Sequence, residues 1–406
     1  MVSEKTLSLS TTCCIAGGGP AGMMIGLLLA KAGIDIIVLE KHNDFLRDFR
    51  GDTVHPSTME IIHELGLLND FLTLPHQKIF TLNGRVGDHN IAIADFTNLS
   101  VHAPFIAMMP QWDFLNFLKK HAENYPNFRL MMNAKITGLI KNDTHIMGVE
   151  GMINNQPFEI NSDLVIGADG RHSIVHDQAQ LPLKNYGVPI DVLWFRLSRK
   201  KDDPIQTAGR FIPGKIMVMI NREDYWQCGY VIPKDEAIKI QKMGLENFHQ
   251  CLIDIVPLLT DRVHELKDWD QIKLLTVKID RLLRWYCPGL LCIGDAAHAM
   301  SPVGGVGINL AIQDAVAAAN ILIKPLQQKN LTLQHLKAIQ KRRYWPVVFI
   351  QLLQLFLQKR IIFTVLNNAR PFAIPLPLRL LNRWPFLRRL SGYIVGMGIR
   401  PEHIKK

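Results

Sequence analysis

At 406 residues the chain can bury a large core and is expected to hold two intimately joined domains. Six cysteines, with Cys13 and Cys14 adjacent and no C-x-x-C pair, give no disulfide framework, so six reduced, mostly buried thiols are expected. The net charge of +10 is lopsided: residues 337–406 hold fourteen Lys and Arg against one acidic residue, Glu402, whereas the rest carries 32 basic and 35 acidic residues. The polar first ten residues lack the basic-then-apolar order of a signal peptide, and no run of eighteen apolar residues appears. A cytoplasmic protein without a spanning helix is the expectation.

Residues 11–16 are β-branched and apolar and predict a buried strand. They lead into Gly17-Gly18-Gly19-Pro20-Ala21-Gly22, and residues 23–32 continue as an apolar helix with Gly22, Gly26 and Ala30 four apart on one face. Gly17 permits the tight turn, Gly19 lets backbone approach a pyrophosphate, and Gly22 allows close helix–strand packing. Pro20 suits the first helical turn, where its missing N–H costs nothing. The helix N-terminus offers unpaired N–H groups and partial positive charge to phosphates. A second apolar strand, 34–39, ends in Glu40 and Lys41, where a carboxylate can accept both hydroxyls of an adenosine ribose. Strand, glycine turn, helix, strand and acid together predict a dinucleotide site.

A polar loop follows, in which Arg50 is placed for a charge-assisted contact with the cofactor. Ser57 predicts a helix N-cap with Glu60 as its capping-box partner. Residues 75–108 read as short strands and turns, Pro110-Gln111-Trp112-Asp113 opens a helix through Ala122, and strands resume at 128–132 and 134–140. Residues 163–173 are a strand running into a polar turn with Asp169-Gly170-Arg171-His172. Several antiparallel strands are expected over 190–232, a helix over 234–257 and a strand over 272–279. Residues 290–295 form a buried strand ending in Gly294-Asp295, before a glycine-rich loop, 302–307, and a helix over 309–323.

The GGGPAG…Glu40 unit, the Asp169-Gly170 turn, and Gly294-Asp295-Ala-Ala-His298 ahead of a Pro/Gly loop resemble, in that order, the group A flavoprotein monooxygenases. These are FAD-dependent hydroxylases of the para-hydroxybenzoate hydroxylase type. The resemblance implies that Glu40 holds the adenosine ribose, that Arg50 and Gly51 touch the pyrophosphate side, and that Gln111 contacts the ribityl chain. It gives Asp295 a ribityl hydroxyl, and assigns the flavin pyrimidine edge to backbone at Gly304, Gly307, Ile308 and Asn309. Pro302 would sit beside the flavin where substrate approaches, and Asp169-Gly170 would serve both FAD and the nicotinamide cofactor. His176 departs from the Arg or Lys that the family often carries there, leaving NADH against NADPH open. The implied cofactors are a tightly held, non-covalent FAD and a transient NADH or NADPH. The implied chemistry is hydride to flavin N5, oxygen addition at C4a and delivery of the terminal oxygen to an aromatic or electron-rich apolar small molecule. No second strand–GxGxxG–helix unit and no dithiol are present, which argues against a disulfide reductase or Baeyer–Villiger-type enzyme.

The expected architecture is α/β: a Rossmann-type FAD-binding domain (1–75, 111–182 and 281–325) interleaved with a mostly antiparallel β-sheet substrate domain (76–110 and 183–280), plus a basic helical C-terminal extension (326–406). No His/Cys/Asp grouping has metal-ligand spacing, and His55, His172 and His298 are expected to be loop or capping residues. Trp194, Trp226, Trp269 and Trp285 are expected to pack in the core, and Arg196 and Arg210 to lie on a solvated face. In the tail, Gln351, Gln354 and Gln358 form one polar stripe on a helix that packs on the body or, with the arginines beyond it, meets an anionic membrane. Nucleic acid is not expected, since no binding motif accompanies the charge. Two other functions share these features: an FAD reductase or dehydrogenase without oxygen insertion, separated by oxygen consumed per turnover, and a flavin-bound membrane-docking module.

Overall fold

In the computed structural model, residues 6–46, 53–87, 89–204, 208–368 and 376–405 are described. The first strand, Leu7–Ala16, lies inside an eight-stranded sheet. It pairs in parallel with Ile36–Leu39 on one side and Gln156–Gly167 on the other, and these pair in parallel with Phe128–Met131 and Leu290–Cys292. Ala16 sits opposite both Leu39 and Gly167, and Gly167 opposite Cys292. The carboxyl ends of these strands therefore stop level with one another, where open parallel sheets bind ligands. Both faces are covered, so the strands read as continuous apolar runs. On one face lies the Pro20–Lys31 helix, where Cβ atoms at Gly26 would stand 3.0 Å from Phe128 and 3.1 Å from Val38.

The second sheet has seven strands, in the order Lys273–Leu275, Ile190–Ser198, Tyr225–Pro233, Lys215–Asn221, Ala208–Ile212, Thr81–Val86 and His89–Asp95. All neighbours are antiparallel except Ala208–Ile212 with Thr81–Val86. Trp226 and Trp285 are buried as expected, and Arg196 lies exposed over the Tyr225 ring. The helix expected over 234–257 is two, Ala237–Lys242 and Leu245–Ile255, because Gly244 takes φ +88° between them. The strand expected over 272–279 shrinks to Lys273–Leu275.

Ser57 is not the N-cap of its helix. The helix is Pro56–Glu64, capped at His55 with Pro56 in the first turn, and Glu60 accepts instead from His102. Buried Ser57 donates to Asn309 on the far side of the chain, so a long-range contact outcompeted the local cap.

The C-terminal helix Leu333–Leu357, continued by a π-helical turn Gln358–Ile362 and the helix Phe363–Asn367, is built inside out. Gln351, Gln354 and Gln358 are buried, whereas Trp345 is 72% exposed and Phe349, Leu352, Phe356 and Phe363 are all exposed. By length and composition both Val303–Gln327 and Leu333–Asn367 could cross a membrane, which the count of unbroken apolar runs did not suggest. The first is mostly buried core. The second turns Leu336, Ile339, Val347 and Ile350, together with Arg343 and the three glutamines, into the protein. Nearby, fully buried Arg343 donates to Asp314 at 2.9 Å and also approaches Glu402, while His298 Nε2 lies 2.5 Å from Asp314. Burial would push the Asp314 carboxyl up, but His298 and Arg343 outweigh it and hold it below the usual range.

His55, fully buried beside the glycine-rich loop, bonds the Val395 carbonyl at 2.8 Å through Nδ1. Burial lowers its pKa from 6.5 to about 4, against the opposing pull of the Val395 and Gly305 carbonyls. The unfolded chain therefore takes up this proton first, and the stability present above pH 6.5 is lost as pH falls toward 4. Urea unfolding at pH 5 should show about 2 kcal/mol less stability from this group than at pH 7.5. His55→Asn should lose that part of the pH slope, whatever its effect on stability at pH 7.5.

Candidate functional site

Three chain segments meet at the level strand ends. Gly17, at φ +105°, turns so tightly that a Cβ would lie 2.4 Å from the Ala168 carbonyl oxygen. At Gly22 a Cβ would lie 1.9 Å from the Gly17 carbonyl, so helix and turn are in backbone contact. At Gly19, the extended N-cap residue, the nearest atom to a Cβ is 4.0 Å away, leaving space in front of the helix. Pro20 and Ala21 form the first turn, with no acidic side chain to compete for its N–H groups. Glu40 ends the second strand: its Oε2 accepts from Gly18 N and its Oε1 from His42 N, both at 3.1 Å. Lys41 points outward as an exposed residue, and Arg50 and Gly51 lie outside the described residues.

The second segment backs onto the first. Ala168 N donates to Ala16 O at 2.7 Å, which places Asp169-Gly170 beside the glycine turn. Asp169 Oδ2 accepts from Val175 N at 3.3 Å, at the start of the short Ile174–Gln178 helix, while its Oδ1 is buried without a partner. Burial raises this carboxyl, with hydrogen bonds from Ser173 and Val175 pulling it back down. Gly170 has φ +85° and open space where a side chain would be. His176 is buried, and its Nδ1 lies 2.8 Å from the Ala296 carbonyl, so it tethers the third segment.

That third segment is wedged between two helices. Gly294, at φ +59°, would carry a Cβ 3.2 Å from Ala21 and 3.3 Å from Ala311. Asp295 pairs with Arg171, whose Nε donates to Oδ2 at 3.0 Å and whose Nη2 donates to Met300 O at 3.2 Å. Arg171 Nη1 is buried with no partner, an unsatisfied donor on the guanidinium that holds Asp295. Pro302 follows in a helical conformation, Gly304 at φ +83° and Gly305 at φ +63° turn the loop, and Gly307–Gln327 begins as helix. Gly307, Ile308 and Asn309 form its first turn, whose N–H groups have no intrahelical acceptor. The Asn309 side chain is buried and accepts from Ser57 and, at 3.1 Å, Thr58. Gln111 opens the Gln111–Ala122 helix three residues beyond Met108, the strand partner of Thr53, and Thr53 Oγ1 donates to Gly305 O at 2.9 Å.

The first turns of two helices, Pro20–Lys31 and Gly307–Gln327, thus flank Gly294, whose neighbour Asp295 holds the Arg171 guanidinium. Such ends stabilise anionic and oxygen-rich groups. The open space at Gly19, the Glu40 carboxylate and the orphaned donor of Arg171 fit a phosphate-bearing dinucleotide. Arg171 was in the sequence, inside the Asp-Gly-Arg-His run, but nothing local distinguished it from a surface arginine. Gln354, read from the sequence only as part of a polar stripe, accepts from Ser301 N at 3.1 Å and donates to Ser301 O and Val303 O at 3.0 and 2.9 Å, clasping the loop at Pro302.

A family model described as "FAD binding domain" matches residues 10–347. The chain is 28% identical over 345 residues to the 6-methylpretetramide 4-monooxygenase of Streptomyces rimosus, covering 82% of this chain and 80% of that one. It is 22% identical to the para-nitrophenol 4-monooxygenase of a Pseudomonas species, with 76% and 77% covered. Among solved structures, the OxyS anhydrotetracycline hydroxylase from Streptomyces rimosus superimposes with a TM-score of 0.72 at 18% identity, over 96% of this chain and 76% of that chain. The mixed parallel and antiparallel sheets and the helical C-terminal region belong to that shared fold. The chain is therefore a member of the FAD-binding-domain family of FAD-dependent monooxygenases, and an FAD-dependent oxidoreductase.

Proposed function

We propose that the protein hydroxylates an aromatic or electron-rich apolar small molecule, using O2 and a transiently bound NADH or NADPH. The reading rests on the convergence of the three segments, each in backbone contact with the next, around one space bordered by two helix N-termini. FAD, when bound, supplies the redox chemistry that no protein side chain can. The chain's own part is to hold and orient. The Gly17–Gly22 turn and first helix seat the diphosphate, Glu40 takes the ribose, Asp295 accepts from a ribityl hydroxyl, and Arg171 donates to a ribityl or phosphate oxygen. N–H groups at Gly307, Ile308 and Asn309 face the pyrimidine edge, where they oppose negative charge on the reduced ring. Pro302 lies on the substrate side, its loop held by Gln354 and its neighbour Val303 packed against Ile190, Val192 and Ile216 of the antiparallel sheet. That apolar contact is where water is best excluded.

The basic extension is proposed as a peripheral contact with an anionic membrane, with the protein otherwise cytoplasmic. The observation that favours it is the outward stripe of Trp345, Phe349, Leu352 and Phe356, followed by exposed Lys359 and Arg360. Apolar residues rimmed by cations suit the headgroup region of an anionic bilayer.

Gly22→Ala should leave the purified protein colourless, or weaken FAD binding at least about tenfold by fluorescence quenching, because one methyl group must displace backbone. Under air, a panel of phenols and fused-ring aromatics should contain compounds that speed NAD(P)H oxidation with one O2 consumed per hydroxylated product. Turnover with no oxygen uptake would instead make the enzyme a reductase. Vesicles containing phosphatidylglycerol should pellet the protein at low salt, whereas pure phosphatidylcholine vesicles should not. Trp345→Glu with Phe349→Glu should abolish pelleting and leave NAD(P)H oxidation unchanged; wild-type protein that stays in the supernatant ends the membrane proposal.

A further inference from the structure

We infer that Glu246, His249 and His264, on the helical layer behind the antiparallel sheet, form a binding site for a divalent transition-metal ion of the zinc type. His249 lies on the Leu245–Ile255 helix and is 3% exposed. Its Nε2 is 3.1 Å from the Leu266 carbonyl oxygen, which can only accept, so Nε2 carries the proton and Nδ1 presents a lone pair. Nδ1 is buried and has no hydrogen-bond partner. A ring oriented by a carbonyl at one nitrogen, with the other left open, is the usual setting of a metal-bound imidazole.

The open nitrogen is not alone. Glu246, one helical turn earlier on the same face, has Oε2 3.9 Å from His249 Nδ1. His264, in the turn Val263–Glu265, stands edge-on to the His249 ring at 5.2 Å between centroids. One ligand atom from each residue lies within 4.8 Å of the other two. Donors about 2.0–2.2 Å from a tetrahedral zinc ion stand somewhat closer together than this. The remaining movement falls to the exposed Glu246 and His264 side chains, while the buried His249 stays fixed. Two imidazoles and one carboxylate suit zinc, cobalt or nickel, whereas calcium and magnesium take all-oxygen shells. Three protein ligands leave a fourth position for water.

The ion would join the Leu245–Ile255 helix to the turn at Val263–Glu265, both of which pack on the sheet through Phe248, Leu252, Val263 and Leu266. It would act as a clasp on the substrate-side layer, separate from the flavin region and independent of the reaction assigned there.

The test is zinc chloride titrated into chelator-stripped, FAD-loaded enzyme in competition with a chromogenic zinc indicator. One equivalent should bind, and Glu246→Gln and His264→Ala, both at exposed positions where folding is undisturbed, should each weaken it at least about tenfold. Zinc should raise the thermal midpoint of the wild type and not of His264→Ala, and magnesium chloride should raise neither. Zinc affinity in the wild type no greater than in His264→Ala, or no zinc binding at all, overturns the assignment.

Discussion

The structure depends on one close approach: the Gly22 Cα against the Gly17 carbonyl, where even a methyl group would sit 1.9 Å from oxygen. That contact brings the first helix down onto the end of its strand, and Gly17 in turn lies against Ala168 and Asp169, just past the end of the neighbouring strand. Ala21, fixed by the same turn, is the surface on which Gly294 rests. Removing side chains at these positions lets backbone dipoles form walls of the site, beside the charged groups of Glu40, Arg171 and Asp295. Backbone is pre-organised by the sheet and costs little further entropy to hold, which suits a cofactor that must keep one orientation through repeated turnover.

Much of this was legible in the sequence because it is local. A glycine turn between an apolar strand and an apolar helix, with an acid closing the next strand, is written within thirty residues, and the structure keeps every part of it. The alternation over 190–232 likewise became antiparallel strands. Apart from the helix broken at Gly244 and the shortened Lys273–Leu275 strand, what failed depended on distant partners. Ser57 looked like a cap because Glu60 followed it, yet its hydroxyl found Asn309, 252 positions away. Arg171 carried no local sign of its partners, Asp295 and Met300 O, which lie more than a hundred residues on. Glu246 and His249 share a helical face by spacing, but His264 joins them only through the packing of the layer.

The tail shows the same lesson with the sign reversed. A stripe of glutamines amid apolar residues leaves open which face of the helix turns inward, because an amide left unpaired in a core is costly. Here the core supplies partners. Gln351 bonds the Asp280 and Ala299 carbonyls, Gln354 bonds Ser301 and Val303, and Gln358 reaches the Ser301 hydroxyl. The loop carrying Pro302 turns through two glycines in positive φ and cannot satisfy its own backbone in a ladder. The glutamines serve as that missing ladder, and so the helix must turn them inward.

Once the glutamines face in, helical geometry leaves no choice about the rest. Residues 345, 349, 352 and 356 fall on the opposite face, and the sequence places Trp, Phe, Leu and Phe there. A helix meant only to support a loop could carry lysine and glutamate at those positions at no cost to packing, and would be more soluble for it. The exposed apolar stripe is therefore not a by-product of the glutamine contacts. Two separate features meet on this one helix: its inner face holds the loop carrying Pro302 through the glutamines, and its outer face presents an apolar stripe. Gln354 ties that inner face to the backbone on either side of Pro302.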